Sequence, residues 1–169
     1  TSDDDRYSFF VKHMFPKLRR ICRGWDAEDD EIFQREKEQG TILFIPSYFD
    51  FLRIKNLFLE EGLHPALCSE YTETSEQTRN RSLFFHGDQR LLIYTERNHF
   101  YNRFRIRGAR HLIFYAPPQH ASVYPDMLNI FSLDLLIIIN FFLSNKDLFK
   151  ALSKKISLLS MISFSSYFK

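Results

Sequence analysis

The order of apolar runs along this chain predicts an α/β fold, a three-layer sandwich around a mostly parallel sheet. Three observations carry that prediction. "TILFI" (41–45), "PALCS" (65–69), "RLLIYT" (90–95) and "HLIFY" (111–115) are short continuous apolar runs, as strands buried on both faces are. Segments with helical spacing separate most of them, the alternation that parallel sheets require. Gly62, Gly87 and the pair Pro117-Pro118 stand where helices or strands must stop.

The elements follow in order. Residues 6–22 predict an amphipathic helix presenting Phe9, Phe10, His13, Met14, Leu18 and Ile21, with Pro16 as an interruption. Arg19, Arg20 and Arg23 crowd its end, where cations suit the helix dipole. An acidic stretch, "DAEDDEIFQREKE" (26–38), follows as a solvated connector. After the first strand, Ser47 with Asp50 three residues on predicts a helix N-terminus. The helix runs through Glu61 and buries Phe51, Ile54, Leu57 and Phe58. Thr74 or Ser75 caps the next helix, which runs to His86. A short helix is expected over 121–131.

The domain plan has three parts. Residues 1–40 are an N-terminal helix and acidic connector, 41–131 an α/β lobe, and 132–169 an apolar, Ser- and Lys-rich tail. "LNIFSLDLLIIINFFL" (128–143) is apolar, but it is short for a membrane span and holds Asp134 and Asn140. No membrane partner is expected, and "LLIII" offers an apolar edge strand. "TSDDDRYSFF" lacks the apolar region of a signal peptide, and the missing initiator Met reads as a fragment.

The chain has 169 residues, 44% of them hydrophobic, enough for one folded core. A net charge of +2 excludes a generic polyanion binder. Charge is instead concentrated. Residues 90–111 hold six arginines and one acid. Cys22 and Cys68 have no metal or redox spacing and read as reduced intracellular thiols.

Ligands of parallel α/β sheets gather at the carboxyl ends of the strands. The segments leaving those ends are 46–51, 70–81, 96–110 and 116–120. The third, "ERNHFYNRFRIRGAR", mixes arginines with Phe100, Tyr101 and Phe104. Guanidinium groups fork phosphates and rings stack on unpaired bases, a chemistry suited to single-stranded RNA. Two other readings stay open: docking on an acidic protein, or a solvated face over core aromatics. Ser47 and Tyr48 open a helix whose N–H groups suit a phosphate, and Arg79 and Arg81 share a helix with Gln77. Each of these also has a bland account, as a cap or a helix surface.

Catalytic patterns are missing. There is no G-x-x-x-x-G-K-[ST] loop, no Gly-rich cradle, no nucleophile elbow and no metal-ligand spacing among the six histidines.

"FIPSYFDF" (44–51), "SEYT" (69–72) and "YTERNHFYNRFRIRG" (94–108) closely resemble the C-terminal half of the digestive organ expansion factor family. This is the family of U-3 small nucleolar RNA-associated protein 25, and the likeness covers about residues 3–129. It implies a degenerate second RecA-like lobe of a DEAD-box-type helicase, related to P-loop NTPases but without the P-loop. In that comparison "ILFIPSYFDF" (42–51) is similar to motif IV, and Gln77 to Arg81 to a region touching the RNA backbone. Thr95-Glu96 with Arg107-Gly108 resembles motif V. The implied RNA contacts are therefore Ser47, Tyr48, Gln77, Arg79, Arg81, Thr95, Arg97, Arg103, Arg105, Arg107 and Gly108.

Departures accompany the likeness. The 97–106 loop is longer than in active helicases, Ala109-Arg110 replaces an expected acid, and the arginine-finger motif is absent. After about Asn129 the chain leaves the family pattern, so the lobe is expected to be incomplete at its C-terminus. The resemblance implies a non-catalytic assembly factor of the small-subunit processome, in the nucleus and nucleolus. Its partners would be pre-rRNA, small nucleolar RNA and processome proteins, without ATP or Mg²⁺. The alternatives are one lobe of an active ATP-dependent RNA helicase, which an upstream phosphate loop would reveal, or a purely protein-docking module.

Overall fold

The computed structural model describes residues 2–23, 40–128 and 137–140. The acidic run 26–38 and most of the tail lie outside them. So do the last residues of the helix expected over 121–131.

The chain opens with α1 (Ser2–Phe9) and α2 (Phe15–Arg23), joined without a break by a π-helical turn over Phe10–Met14. Pro16 does not split this helix. A proline lacks the N–H and crowds the carbonyl four residues back. The wider π turn absorbs that conflict, and the Phe15 N–H reaches the Phe10 carbonyl instead. Phe10, Met14, Phe15 and Leu18 are buried, whereas His13 faces solvent.

The sheet follows. β1 (Gly40–Ile45) leads into α3 (Tyr48–Glu60), β2 (Ala66–Cys68), α4 (Thr74–His86) and β3 (Leu91–Thr95). After β3 come α5 (Glu96–Asn102), β4 (Ala109–Phe114), α6 (Val123–Leu128) and β5 (Ile137–Asn140). The five strands are all parallel, in the order β2-β3-β1-β4-β5. The fold is thus α/β as expected, and β5 draws the edge strand from the apolar run in the tail.

Strand residues alternate between two cores because successive side chains point to opposite faces. Leu43, Ile45, Leu91, Ile93 and Ile113 pack under α2 and α3 with Phe10, Phe15, Leu18, Ile54 and Phe58. The N-terminal helix therefore shares the core of the lobe. Ile42, Phe44, Leu92, Tyr94, Leu112 and Phe114 face the other way, onto Phe84 of α4, Val123 and Met127 of α6, and Ile106.

Ser47 caps α3 as expected, accepting the Asp50 N–H at 3.5 Å. The cap expected for α4 differs. Glu73 stands at that position with no side-chain bond, and Thr74 is already helical. Thr72 ties the approach instead, through its hydroxyl to the Ser69 N–H at 3.2 Å and the Ser69 hydroxyl at 2.9 Å. Gly87 ends α4 at φ 82°, which a side chain would strain.

The largest difference concerns 96–110, expected as one loop at the carboxyl rim. Its first half is α5, capped by the Thr95 hydroxyl. Its second half turns at Arg103, runs through 104–107 with alternating burial, and returns to the opposite end of the sheet at Gly108. Gly40 donates to the Gly108 carbonyl at 3.2 Å, where β1 and β4 begin.

Candidate nucleic-acid interface

Thr95 pairs with Ile45 at the carboxyl end of the sheet, and Gly108 sits beside Gly40 at the amino end. Five strand steps separate those ends, about 17 Å. The motif V likeness therefore fails in space. Arg107-Gly108 is not brought to Thr95, because the extended segment carries it the length of the sheet.

Thr95 itself is buried, and both functions of its hydroxyl are used. It donates to Glu70 Oε2 at 2.8 Å and accepts the Asn98 N–H at 3.4 Å. Gln77 is likewise buried and engaged. Its Nε2 donates to the carbonyls of Ser69 (3.2 Å) and Thr72 (2.7 Å). Its Oε1 accepts from Asn98 Nδ2 at 2.9 Å, and Asn98 Oδ1 accepts from Asn102 Nδ2. A relay of amides thus locks the β2–α4 loop, α4 and α5 together. Ser47 is a cap, and Gly108 contributes backbone. Thr95 and Gln77 are therefore buried braces, whereas Ser47 is half-buried and Gly108 exposed.

The arginines do face outward. Arg79, Arg97, Arg103, Arg105 and Arg107 are exposed. In 103–107 the exposure has a period of two: the arginines point to solvent, Ile106 is 3% exposed, and Phe104 packs against the second core. Extended backbone alternates its side chains, so "RFRIR" is apolar inside and cationic outside. Arg81 joins this row, its guanidinium 3.9 Å from the centre of the Phe104 ring. Arg103 turns the chain from α5 into the row with φ 42°, the sole positive φ outside glycine among the described residues.

The rim carries aromatic surface. Phe49, Tyr71, Phe100 and Tyr101 are exposed, at 83%, 66%, 49% and 63%. Tyr48 lies 4.5 Å from Tyr71, and Arg97 sits 5.8 Å from the Tyr101 ring.

Sequence reading missed the buried carboxylate that holds the rim. Glu96, 2% exposed, accepts the Gln119 and His120 N–H groups at 2.8 Å each, and His120 Nδ1 at 3.0 Å. The strand exit at Pro117-Pro118 is thereby fastened to α5. His99 is buried nearby, with Tyr94 Oη at 3.3 Å and Asp126 at 3.7 Å, beyond hydrogen-bond reach. Burial holds its pKa below the usual imidazole value despite Asp126. A Thr-Glu pair after a strand hints at a cap, but nothing local tells that its carboxylate reaches another loop. Cys22 and Cys68 are free thiols, each pushed up to about 12 by burial. Among the described residues no helix is long and apolar enough to cross a membrane.

Comparison with known proteins adds the lineage. The Hef helicase domain of Pyrococcus furiosus superposes with a TM-score of 0.53 at 18% identity, over 82% of this chain and 28% of that one. That likeness shows the fold, a RecA-like lobe. A family model described as "Utp25, C-terminal domain" matches residues 1–157. Over 128 residues the chain is 33% identical to Protein NUCLEOLAR FACTOR 1 of Arabidopsis thaliana, covering 76% of this chain and 15% of that protein. Over 127 residues it is 37% identical to the Homo sapiens U3 small nucleolar RNA-associated protein 25 homolog and 32% to the Schizosaccharomyces pombe protein. Those matches cover 75% of this chain and 15% and 17% of the relatives, so the chain spans a small part of their length. The names describe nucleolar factors, which places the family in the nucleus, at the nucleolus. The expected family stands: this chain belongs to the Utp25 family, within its C-terminal domain.

Proposed function

We propose that this lobe is a non-catalytic, RNA-contacting module of a U3 small nucleolar RNA-associated assembly factor, acting in small-subunit rRNA processing. The observation that carries the reading is the outward row Arg103, Arg105 and Arg107, held in place by buried Ile106 and packed Phe104. Such a row presents fixed charge to a polyanion at little further entropic cost, because its backbone is already ordered. The rim tyrosines add faces on which unpaired bases can stack. Pre-rRNA and small nucleolar RNA are the partners this chemistry suits, together with processome proteins.

The non-catalytic part rests on the site residues. The Thr95 hydroxyl and the Gln77 amide are consumed by internal hydrogen bonds. The absence of an arginine-finger motif from the sequence supports a lobe that works without ATP or Mg²⁺.

Photocrosslinking of the intact protein to pre-rRNA tests the reading, with the linked residues mapped. Linked peptides within 71–107 are expected, and ATP turnover by the intact protein should stay at the background rate. Crosslinks confined to other regions would refute RNA contact by this lobe. RNA-stimulated ATP hydrolysis lost on Arg81→Gln would refute the non-catalytic assignment.

A further inference from the structure

The two faces of the sheet treat arginine differently. On the face covered by α1, α2 and α3, four arginines meet acids, while Arg20 is exposed. Arg6 pairs with Asp50 at 3.2 Å, Arg53 with Asp4 at 3.0 Å, and Arg19 and Arg23 with Glu61 at 3.3 and 4.0 Å. On the other face Arg81, Arg103, Arg105 and Arg107 have no ion pair among the described residues. Arg81 is held by the Gln77 carbonyl at 3.3 Å, the Thr78 hydroxyl at 3.4 Å and the Phe104 ring, whereas Arg103, Arg105 and Arg107 are exposed.

Arg103, Arg105 and Arg107 alternate with Phe104 and Ile106 along the backbone. Alternate residues of extended chain stand about 6.6 Å apart. That spacing is close to the separation of successive phosphates in an extended single strand. The row does not lie across the carboxyl rim. It runs along the face of the sheet, beside Phe104-stacked Arg81 and down to Gly108, which lies against Phe84 and Phe85 at the end of α4. Its first rung, Arg103, is the left-handed C-cap of α5 at φ 42°, its N–H on the His99 carbonyl.

We infer that Arg103, Arg105 and Arg107, with Arg81 beside them, form a rail for successive phosphates of one RNA strand, directed along the sheet face from its carboxyl end to its amino end. This rests on the RNA-contacting reading above and adds the path. Each guanidinium takes one phosphate through paired N–H donors. The rail reads no sequence, because phosphates carry none. The rim aromatics would then receive only the bases at the upper end of the strand.

The test uses the full-length protein and single-stranded RNA oligonucleotides, with affinity measured against salt. R103Q/R105Q/R107Q should lower the slope of log K against log salt by about 2, near 0.7 for each lost phosphate contact. The lysine triple variant should keep the slope, which controls for folding. Neutral methylphosphonates at three successive linkages should weaken wild-type binding as the glutamine variant does, with no further loss when the two are combined. If Tyr71→Ala and Tyr101→Ala abolish binding while the glutamine variant keeps the wild-type slope, the rail is wrong and RNA contact survives. Full loss of slope from methylphosphonates spaced apart, but not in succession, would also sink the rail. A wild-type protein without RNA affinity overturns the RNA reading itself. Loss of a protein partner by the glutamine variant, with RNA affinity unchanged, assigns the row to an acidic protein and overturns the rail.

Discussion

Replacing Gln77 by Met should unfold the lobe more readily without altering what the folded surface binds. The side chain is 5% exposed and makes three neutral hydrogen bonds, to Ser69 O, Thr72 O and Asn98 Nδ2. Methionine fills nearly the same volume, so little cavity term arises. Each lost neutral bond is worth about 1 kcal/mol, and the Asn98 donor and two carbonyls lose a partner in a buried place. A loss of about 3 kcal/mol follows, a large part of the stability of an ordinary domain. For a unit of this size that lowers the melting temperature by about 10 °C. Thermal and urea denaturation followed by circular dichroism measure it, with RNA affinity recorded well below the transition. A Met variant as stable as wild type that has lost RNA affinity would refute the reasoning, since the amide would then be a contact and not a brace.

Three further outcomes follow from the same geometry. Glu96→Ala removes the acceptor for two backbone N–H groups and His120; charge-assisted bonds of this kind imply a loss of about 3 kcal/mol, and limited proteolysis should newly cut within 116–122. At Gly40, an added Cβ would lie 2.5 Å from the Gly108 carbonyl and 2.6 Å from the Phe84 ring; Gly40→Ala should cost roughly 3 kcal/mol by denaturation, whereas Gly→Ala in open strand stabilises. Stability should fall as pH drops below about 6.5, because the buried imidazole of His99 takes up its proton at lower pH than in the unfolded chain. His99→Gln should flatten that decline between pH 7 and 5.5 in denaturation curves.

What sequence could show depended on whether its cause was local. The four apolar runs, the Ser47 cap and the Gly87 stop are each fixed by neighbouring residues, and all were legible. The Pro16 break was a local expectation that tertiary burial of Phe10, Met14, Phe15 and Leu18 overrode, with the π turn as the compromise. The division of 96–110 into a helix and an extended return was missed, although "RFRIR" carries a period of two. Residues 103–107 form no strand, yet their exposure alternates as that of a half-buried strand does. Long-range pairs were out of reach: Thr95 with Glu70, Glu96 with Gln119 and His120, and Gln77 with Asn98 depend on topology, and no spacing announces them. Charge was easier to place than contact, since the arginines of 97–107 are exposed as expected, while the motif-derived Thr95 and Gln77 are inside.

The extended segment is clamped at both ends, by the Arg103 N–H on the His99 carbonyl at 2.8 Å and by Gly108 against Gly40 at 3.2 Å. Between those clamps the sidedness of every residue depends on counting by twos. Adding or deleting one residue would send guanidinium groups into the apolar interior and leave Ile106 in water, whereas adding two would preserve the pattern. Length variation in this part of the protein is therefore admissible only in even steps, a restriction imposed by backbone parity and indifferent to which side chains are chosen.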